Sequence, residues 1–319
     1  MQSSSNRDSG VLKTLTITSF AKINLGLRVL RKRTDGYHDI ETVFLRIGWS
    51  DLLTFGPSKS LQMTTNNALL PVDEQNLCVK AVLAYRKAQS DRSQGVQHSD
   101  RTSVIDPTEI DQENISIHLN KKIPFGAGLG GGSSDAATVL LACQSFFGNE
   151  RPLTEEELHA VAAQLGSDVP FFLGSPVAFG KGRGELLSPV PVPKALQDTF
   201  LLVVAPEIHV STAEAYAGVV PNNNHSTDLK EIVLQGSLEE WSAHLANDFE
   251  SSVFAHHPDI HRIKMCLVNQ GAGFAQMSGS GSSVYGIYKS QKDLNTAKKA
   301  VVAQWPTART WDGPINAAF

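Results

Sequence analysis

The run Pro124-Phe125-Gly126-Ala127-Gly128-Leu129-Gly130-Gly131-Gly132-Ser133-Ser134 constrains this chain more than any other stretch. A segment so poor in Cβ atoms cannot fill a core, but it can turn successive main-chain N–H groups toward one point. Its flanks decide its meaning. Ile115 to Leu119 alternates apolar and polar residues as a half-buried strand does. Asp135 to Phe147 is rich in Ala and Leu and free of Gly and Pro, which predicts a largely buried helix ending before Gly148. Strand, glycine loop and a helix starting at Ser133 or Ser134 put the positive end of a helix dipole beside the turned N–H groups, which makes an anion cradle. The Ser133 and Ser134 hydroxyls are placed to meet phosphate oxygens or a Mg2+ ion.

The kind of phosphate loop follows by exclusion. A Walker loop needs Lys after its last Gly, and Ser133 stands there. Gly126, Gly128 and Gly131 have the dinucleotide-fingerprint spacing, yet no strand ending in Asp or Glu lies ~20 residues beyond. A protein-kinase loop would be followed by His-Arg-Asp or Asp-Phe-Gly, and neither occurs.

With 319 residues the chain exceeds the size at which one core stops growing, so two domains are expected, at about 11–187 and 188–319. Hydrophobic residues at 41% and charged residues at 19% exclude a mainly disordered or collagen-like chain. A net charge of -4 supplies no cationic field for nucleic acid, and no dense basic patch appears. The apolar runs Thr138 to Cys143 and Phe200 to Pro206 fall short of the ~20 residues that cross a bilayer. Met1 to Gly10 is polar and Ser-rich without a signal core, and reads as a loose tail. Cys78, Cys143 and Cys266 lie far apart within apolar stretches, which fits a reduced, cytoplasmic setting.

Leu12 to Phe20 alternates as a strand, a second β-like stretch continues to Leu30, and Arg31 to Gly36 makes a charged turn. Residues 88–113 are polar and read as a solvated surface insertion. Thr154 with Glu157 gives a capping box for a helix ending near Gly166, after which Ser167-Asp168-Val169-Pro170 opens a short turn. The second domain begins with a strand from Leu201 to Pro206 and contains the small-residue loop Ser278 to Ser283 ahead of a strand to Tyr288. His257 and His261 stand four apart, but no Glu follows His257 and Pro258 signals a helix start, so this segment reads as a solvated helix start and no metal site is assigned.

Pro124 to Ser134 resembles the second motif of the GHMP kinase superfamily, named for galactokinase, homoserine kinase, mevalonate kinase and phosphomevalonate kinase. Ala21-Lys22-Ile23-Asn24-Leu25 resembles the first motif and Ser278-Gly279-Ser280-Gly281-Ser282-Ser283 the third, over nearly the whole chain. With Asp35-Gly36-Tyr37-His38 and Gly166-Ser167-Asp168-Val169-Pro170, the set is similar to the branch that phosphorylates a cytidylated methylerythritol at its 2-hydroxyl in the non-mevalonate isoprenoid route. The resemblance implies a two-domain α+β fold, with an N-terminal ATP-binding domain whose glycine loop leads into a helix and a C-terminal α+β domain. It implies a small-molecule kinase using ATP with Mg2+ carried on the phosphates. The expected partner is a small molecule, without nucleic acid or membrane, and the expected state is a monomer or weak homodimer.

By the same resemblance Asp168 is the base and Lys22 its neighbour, offsetting charge at the attacking oxygen. Taken alone, Asp168 also reads as a turn cap and Lys22 as a strand-edge lysine. Asp135 is a rival base, but a carboxylate facing a triphosphate would repel it, so Asp135 is expected to point aside in the first helical turn. The family pattern implies that Pro124 to Ser134 binds ATP, that Asn76 and Lys121 meet its nucleoside, and that Asn24, Tyr37, His38, Thr212 and Tyr216 bind substrate. Tyr37 would stack on the base and His38 bond its edge, while Tyr216 reads equally as a core aromatic. A sister kinase acting on mevalonate or homoserine derivatives, or a nucleotide-binding module without turnover, are the alternatives.

Overall fold

A computed structural model describes residues 14–95, 114–147 and 152–315. The tail at Met1 to Gly10 lies outside them, as does the part of the polar 88–113 segment beyond Gly95. In chain order the elements are β1 (Leu15–Lys32), β2 (His38–Ser58), β3 (Gln62–Thr65), α1 (Leu77–Gly95), β4 (Asn114–Asn120), α2 (Gly131–Phe147), α3 (Glu155–Leu165), β5 (Val177–Lys181) and β6 (Leu186–Pro189). There follow β7 (Phe200–Ala205), α4 (Thr212–Ala217), α5 (Leu229–Gln235), α6 (Leu238–His244), α7 (Glu250–His256), α8 (Pro258–Asn269), β8 (Phe274–Met277), β9 (Val284–Tyr288), α9 (Gln291–Gln304) and β10 (Arg309–Pro314).

Two sheets result. In the first, β2 is long enough to pair antiparallel with β1 along its length, with β5 near its start and with β4 near its end. The second is ordered β10-β7-β9-β8. Helices α1, α2 and α3 cover the first sheet through a core that includes Tyr85, Phe55, Leu140 and Phe171. A separate cluster joins the sheets, where Ile23 and Leu25 of β1 pack with Leu201 and Val203 of β7 and with Trp241. Each such side chain, fully buried, contributes ~1.5–3 kcal/mol relative to exposure, so the halves are fastened where β1 crosses between them. β1 is therefore covered on both faces from Ala21 to Val29, and its polar residues Lys22 and Asn24 are forced into the interior.

Local chemistry explains the element ends. Thr154 accepts from the Glu157 N–H while the Glu157 side chain accepts from the Thr154 N–H, the reciprocal cap expected for α3. α8 begins at Pro258, where a missing N–H costs nothing. Two expectations need correction. α2 starts at Gly131 rather than at Ser133 or Ser134, because the positive-φ glycines stop at Gly130 and Ser134 N–H already donates to the Gly130 carbonyl at 2.9 Å. Residues 88–95 complete helix α1 rather than begin an insertion: 88–92 are half-buried or exposed, as the polar reading expects, and the helix is anchored by its earlier buried residues, Cys78, Val82 and Tyr85 among them.

Candidate active site

The loop between β4 and α2 is shaped by what it touches. Gly128 sits at φ +77°, and a Cβ there would lie 2.1 Å from the Ser278 carbonyl oxygen. Ser278 in turn donates its hydroxyl to the Gly128 carbonyl at 2.9 Å, and Ser283 N–H donates to the Ala127 carbonyl at 3.1 Å. The third small-residue motif is thus the seat of the glycine loop, and Asn247 fixes that seat by donating to the Met277 and Gly279 carbonyls at 2.8 Å each. From the other side Lys22 N–H donates to the Leu129 carbonyl at 2.9 Å, tying the loop to β1.

A cavity of about 1190 Å³ opens over this loop. Pro124, Gly126, Ala127, Gly128, Leu129, Gly130, Gly131, Gly132 and Ser133 all line it, so the run forms its floor with the start of α2. Phe125 points outward, half exposed. Ser134 is also turned away, its buried hydroxyl accepting from Ser19 at 2.7 Å. Of the two serines, Ser133 is the one that faces the cavity.

Lys22 and Asp168, far apart in sequence, meet on the cavity wall with Nζ 3.3 Å from Oδ2. The ammonium is 4% exposed and the carboxylate 32%, so the pair presents its acidic end to the cavity. Lys22 also donates to Asn24 Oδ1 at 2.8 Å, and Asn24 donates to Thr42 Oγ1 at 2.9 Å. These bonds leave the ammonium little freedom. Asp168 is no cap, since the 3-10 turn at Pro170–Leu173 has no side-chain cap bond, and Lys22 is no solvated edge lysine.

The far end of the cavity is aromatic. His38 stacks on Tyr216 with ring centroids 4.6 Å apart, and Tyr216 meets Phe249 edge-on at 4.8 Å. Burial, reinforced by the nearby Lys32 charge, lowers the His38 pKa, which favours a neutral ring that can both donate and accept. Burial pushes the Tyr216 hydroxyl up to about 12. Tyr37 is exposed and carries the Arg183 guanidinium 4.9 Å from its ring centre. Thr212, at the start of α4, lines the same wall.

Asn76 and Lys121, expected at the nucleoside, hold bonds within the protein. Asn76 caps α1, accepting from Cys78 N–H at 2.9 Å and donating to the Pro71 carbonyl at 2.7 Å. Lys121 lies under the loop, donating to Asp51 and Asp135 at 2.6 Å each, and neither residue lines the cavity. Asp135 does point aside, but from the second turn of α2 and into this ion cluster. Arg183, His209 and Leu77 also line the cavity, and sequence reasoning missed them. Nothing near them forms a motif, and only the fold brings them in.

Desolvation raises the Asp135 carboxyl to about 7 against the pull of Lys121, and Asp51 adds to the rise. Its Oδ1 has no partner, whereas Asp51 Oδ1 accepts two main-chain N–H groups, so Asp135 is the member that holds a proton. An unfolded Asp releases that proton near pH 4. Between about pH 4 and 7 the folded chain therefore binds the extra proton, and this site's contribution to stability falls as pH rises through that window. Thermal unfolding of Asp135→Asn beside the unchanged chain, from pH 4.5 to 8, is expected to show the gap between their Tm values shift toward the variant as pH rises. A constant gap would mean that Asp135 is ionised throughout.

Comparison with known proteins agrees with this geometry. Residues 76–175 match the family described as GHMP kinases N terminal domain, and residues 229–307 match GHMP kinases C terminal. The 4-diphosphocytidyl-2-C-methyl-D-erythritol kinase of Chlorobium limicola is 42% identical over 89% of this chain and 91% of its own. That of Parabacteroides distasonis is 42% identical over 84% of this chain and 90% of its own. A crystal structure of 4-(cytidine 5'-diphospho)-2C-methyl-D-erythritol kinase, 32% identical, superposes with a TM-score of 0.73 over 94% of this chain and 98% of its own. A homoserine kinase from Cytophaga hutchinsonii shares the fold at a TM-score of 0.60 but only 18% of the sequence, covering 93% of each chain. The chain belongs to the 4-diphosphocytidyl-2-C-methyl-D-erythritol kinase family of GHMP kinases.

Proposed function

We propose that this chain transfers the γ-phosphoryl group of ATP to the 2-hydroxyl of 4-diphosphocytidyl-2-C-methyl-D-erythritol. The observation that carries the reading is the Lys22–Asp168 pair on the wall of a cavity floored by glycine amides. Asp168 takes the proton of the attacking hydroxyl. The new O–P bond forms as the bond from Pγ to the bridging oxygen breaks, and ADP leaves with that electron pair. Lys22 steadies the Asp168 carboxylate and offsets charge at the attacking oxygen. The loop amides and the positive end of α2 hold the phosphates.

The loop fits a triphosphate because Gly128 and Gly130, at positive φ and packed too closely on Ser278, Phe172 and Lys22 to carry a Cβ, leave main chain to line the cavity floor. Mg2+ bound with ATP would neutralise phosphate charge, and Ser133 is the hydroxyl placed to help hold it. At the aromatic end, Tyr37, His38 and Tyr216 would take the cytosine, with Asn24 and Thr212 along the path between base and alcohol. This division of labour gives the segment up to 187 the ATP site and lets the remainder close the substrate side, in a monomer or weak homodimer working in the cytoplasm.

Purified protein incubated with MgATP and one of three alcohols tests the reading. ADP should be released with the cytidylated methylerythritol and not with mevalonate or homoserine. Release with either of those instead, or ATP binding without release, would reject it.

A further inference from the structure

Strand β1 carries an extra residue beside the Lys22–Asp168 pair. Its pairing with β2 slips between Leu25, opposite Val43, and Leu27, opposite Thr42, and leaves Gly26 as the bulged residue at φ +71°. A bulge of this kind interrupts the ladder and re-aims the groups around it. The Gly26 carbonyl meets the Thr42 side chain, whose hydroxyl donates to it at 2.6 Å. The Gly26 N–H donates to Gln276 Oε1 at 2.9 Å, while the Tyr285 hydroxyl donates to the Asn24 carbonyl at 2.7 Å. The second sheet thus pins the bulge, and Thr42, Asn24, Gln276 and Tyr285 are each no more than 1% exposed.

The consequence is one of direction. A hydroxyl has one proton to give, and Thr42 gives it to Gly26, so toward Asn24 its oxygen can only accept. Asn24 meets that oxygen with its amide nitrogen at 2.9 Å, which leaves its carbonyl oxygen facing the Lys22 ammonium at 2.8 Å. Turned end for end, the amide would set a donor against a donor at Lys22. One ammonium proton goes to Asn24 Oδ1 and a second faces Asp168 Oδ2 at 3.3 Å. Lys22 and Asn24 both line the cavity, so the third proton is left for an oxygen bound there.

We propose that Thr42 is a positioning residue for phosphoryl transfer: by fixing which end of the Asn24 amide faces Lys22, its hydroxyl aims the ammonium at Asp168 and at the attacking oxygen. The inference rests on the Lys22–Asp168 pair carrying the reaction. Thr42 does not line the cavity, so it acts only through its neighbours.

Steady-state kinetics of the full chain with MgATP and the cytidylated alcohol, beside calorimetric titration with MgATP, test it. Thr42→Val keeps the volume and removes the hydroxyl. Its kcat at saturating substrate is expected to fall about 10- to 100-fold, the scale of a lost outer-shell partner. ATP affinity should be unchanged, because Lys22 holds the glycine loop through its main-chain N–H. Thr42→Ser restores the donor and should recover kcat. Where Thr42→Val does not fold, Thr42→Cys, whose thiol donates only weakly, takes its place under the same expectations. A merely structural role is separated by a chain without the ammonium: added to Lys22→Met, Thr42→Val should lower kcat no further, since nothing is left to aim. Losses that multiply in that double variant would overturn the inference, as would undiminished kcat in Thr42→Val. So would a Thr42→Ser chain as slow as Thr42→Val, or an ATP affinity that falls together with kcat. An unsubstituted chain that binds MgATP but releases no ADP with the cytidylated alcohol would instead defeat the kinase reading itself, and the inference with it.

Discussion

Replacing Asp168 by Asn is expected to lower kcat by roughly 10² or more, the scale of a lost general base, with little change in the affinity for ATP. Asn keeps the volume of the side chain and an oxygen that accepts from Lys22, but it has no carboxylate to receive a proton. The ammonium remains anchored by Asn24 at 2.8 Å, so the cavity wall stays in place and the phosphate floor is untouched. The measurement is steady-state kinetics beside ATP titration, because a merely structural role would damage both. Turnover within a few-fold of the original would mean that the proton goes elsewhere.

Gly128→Ala is expected to be as damaging by another route. The backbone there lies in the left-handed region, which costs a residue with a Cβ roughly 1–2 kcal/mol. The added methyl would also stand 2.1 Å from a main-chain oxygen of Ser278, and a carbonyl held by its own turn cannot step aside as a side chain can. Overpacking of this kind costs about 1–3 kcal/mol more and parts the loop from its seat. ATP affinity and thermal stability should fall together. Gly132→Ala supplies the contrast for stability, since it lies within α2 and its nearest neighbour would be a Leu77 methyl at 3.6 Å. That change should raise stability by about 0.5–1 kcal/mol. Equal thermal loss in the two variants would show that the close approach at Gly128 does not matter.

What could be read beforehand follows from the range of the forces involved. The glycine run, the helix after it and the capping box at Thr154 are written in neighbouring residues, so spacing alone reveals them. The start of α2 was misplaced because glycines at 131 and 132 look like loop, although nothing prevents them from taking helical angles once Gly130 has made the turn. The helical reach of α1 past residue 88 was hidden by polar side chains on its outer face. At the site, Lys22 could be singled out through the motif around it. The trio of Asp51, Lys121 and Asp135 could not, because three separated charged residues carry no common pattern until β2, β4 and α2 bring them together. The same holds for Arg183 over Tyr37.

A crystal structure with a non-hydrolysable ATP analogue and the cytidylated alcohol bound together tests the central claim most directly. The 2-hydroxyl oxygen should lie within ~2.6–3.2 Å of an Asp168 carboxylate oxygen and face the γ-phosphorus, with the phosphates against the amides of Gly128 to Ser133. An alcohol docked beyond reach of Asp168, or a triphosphate seated away from those amides, would contradict it.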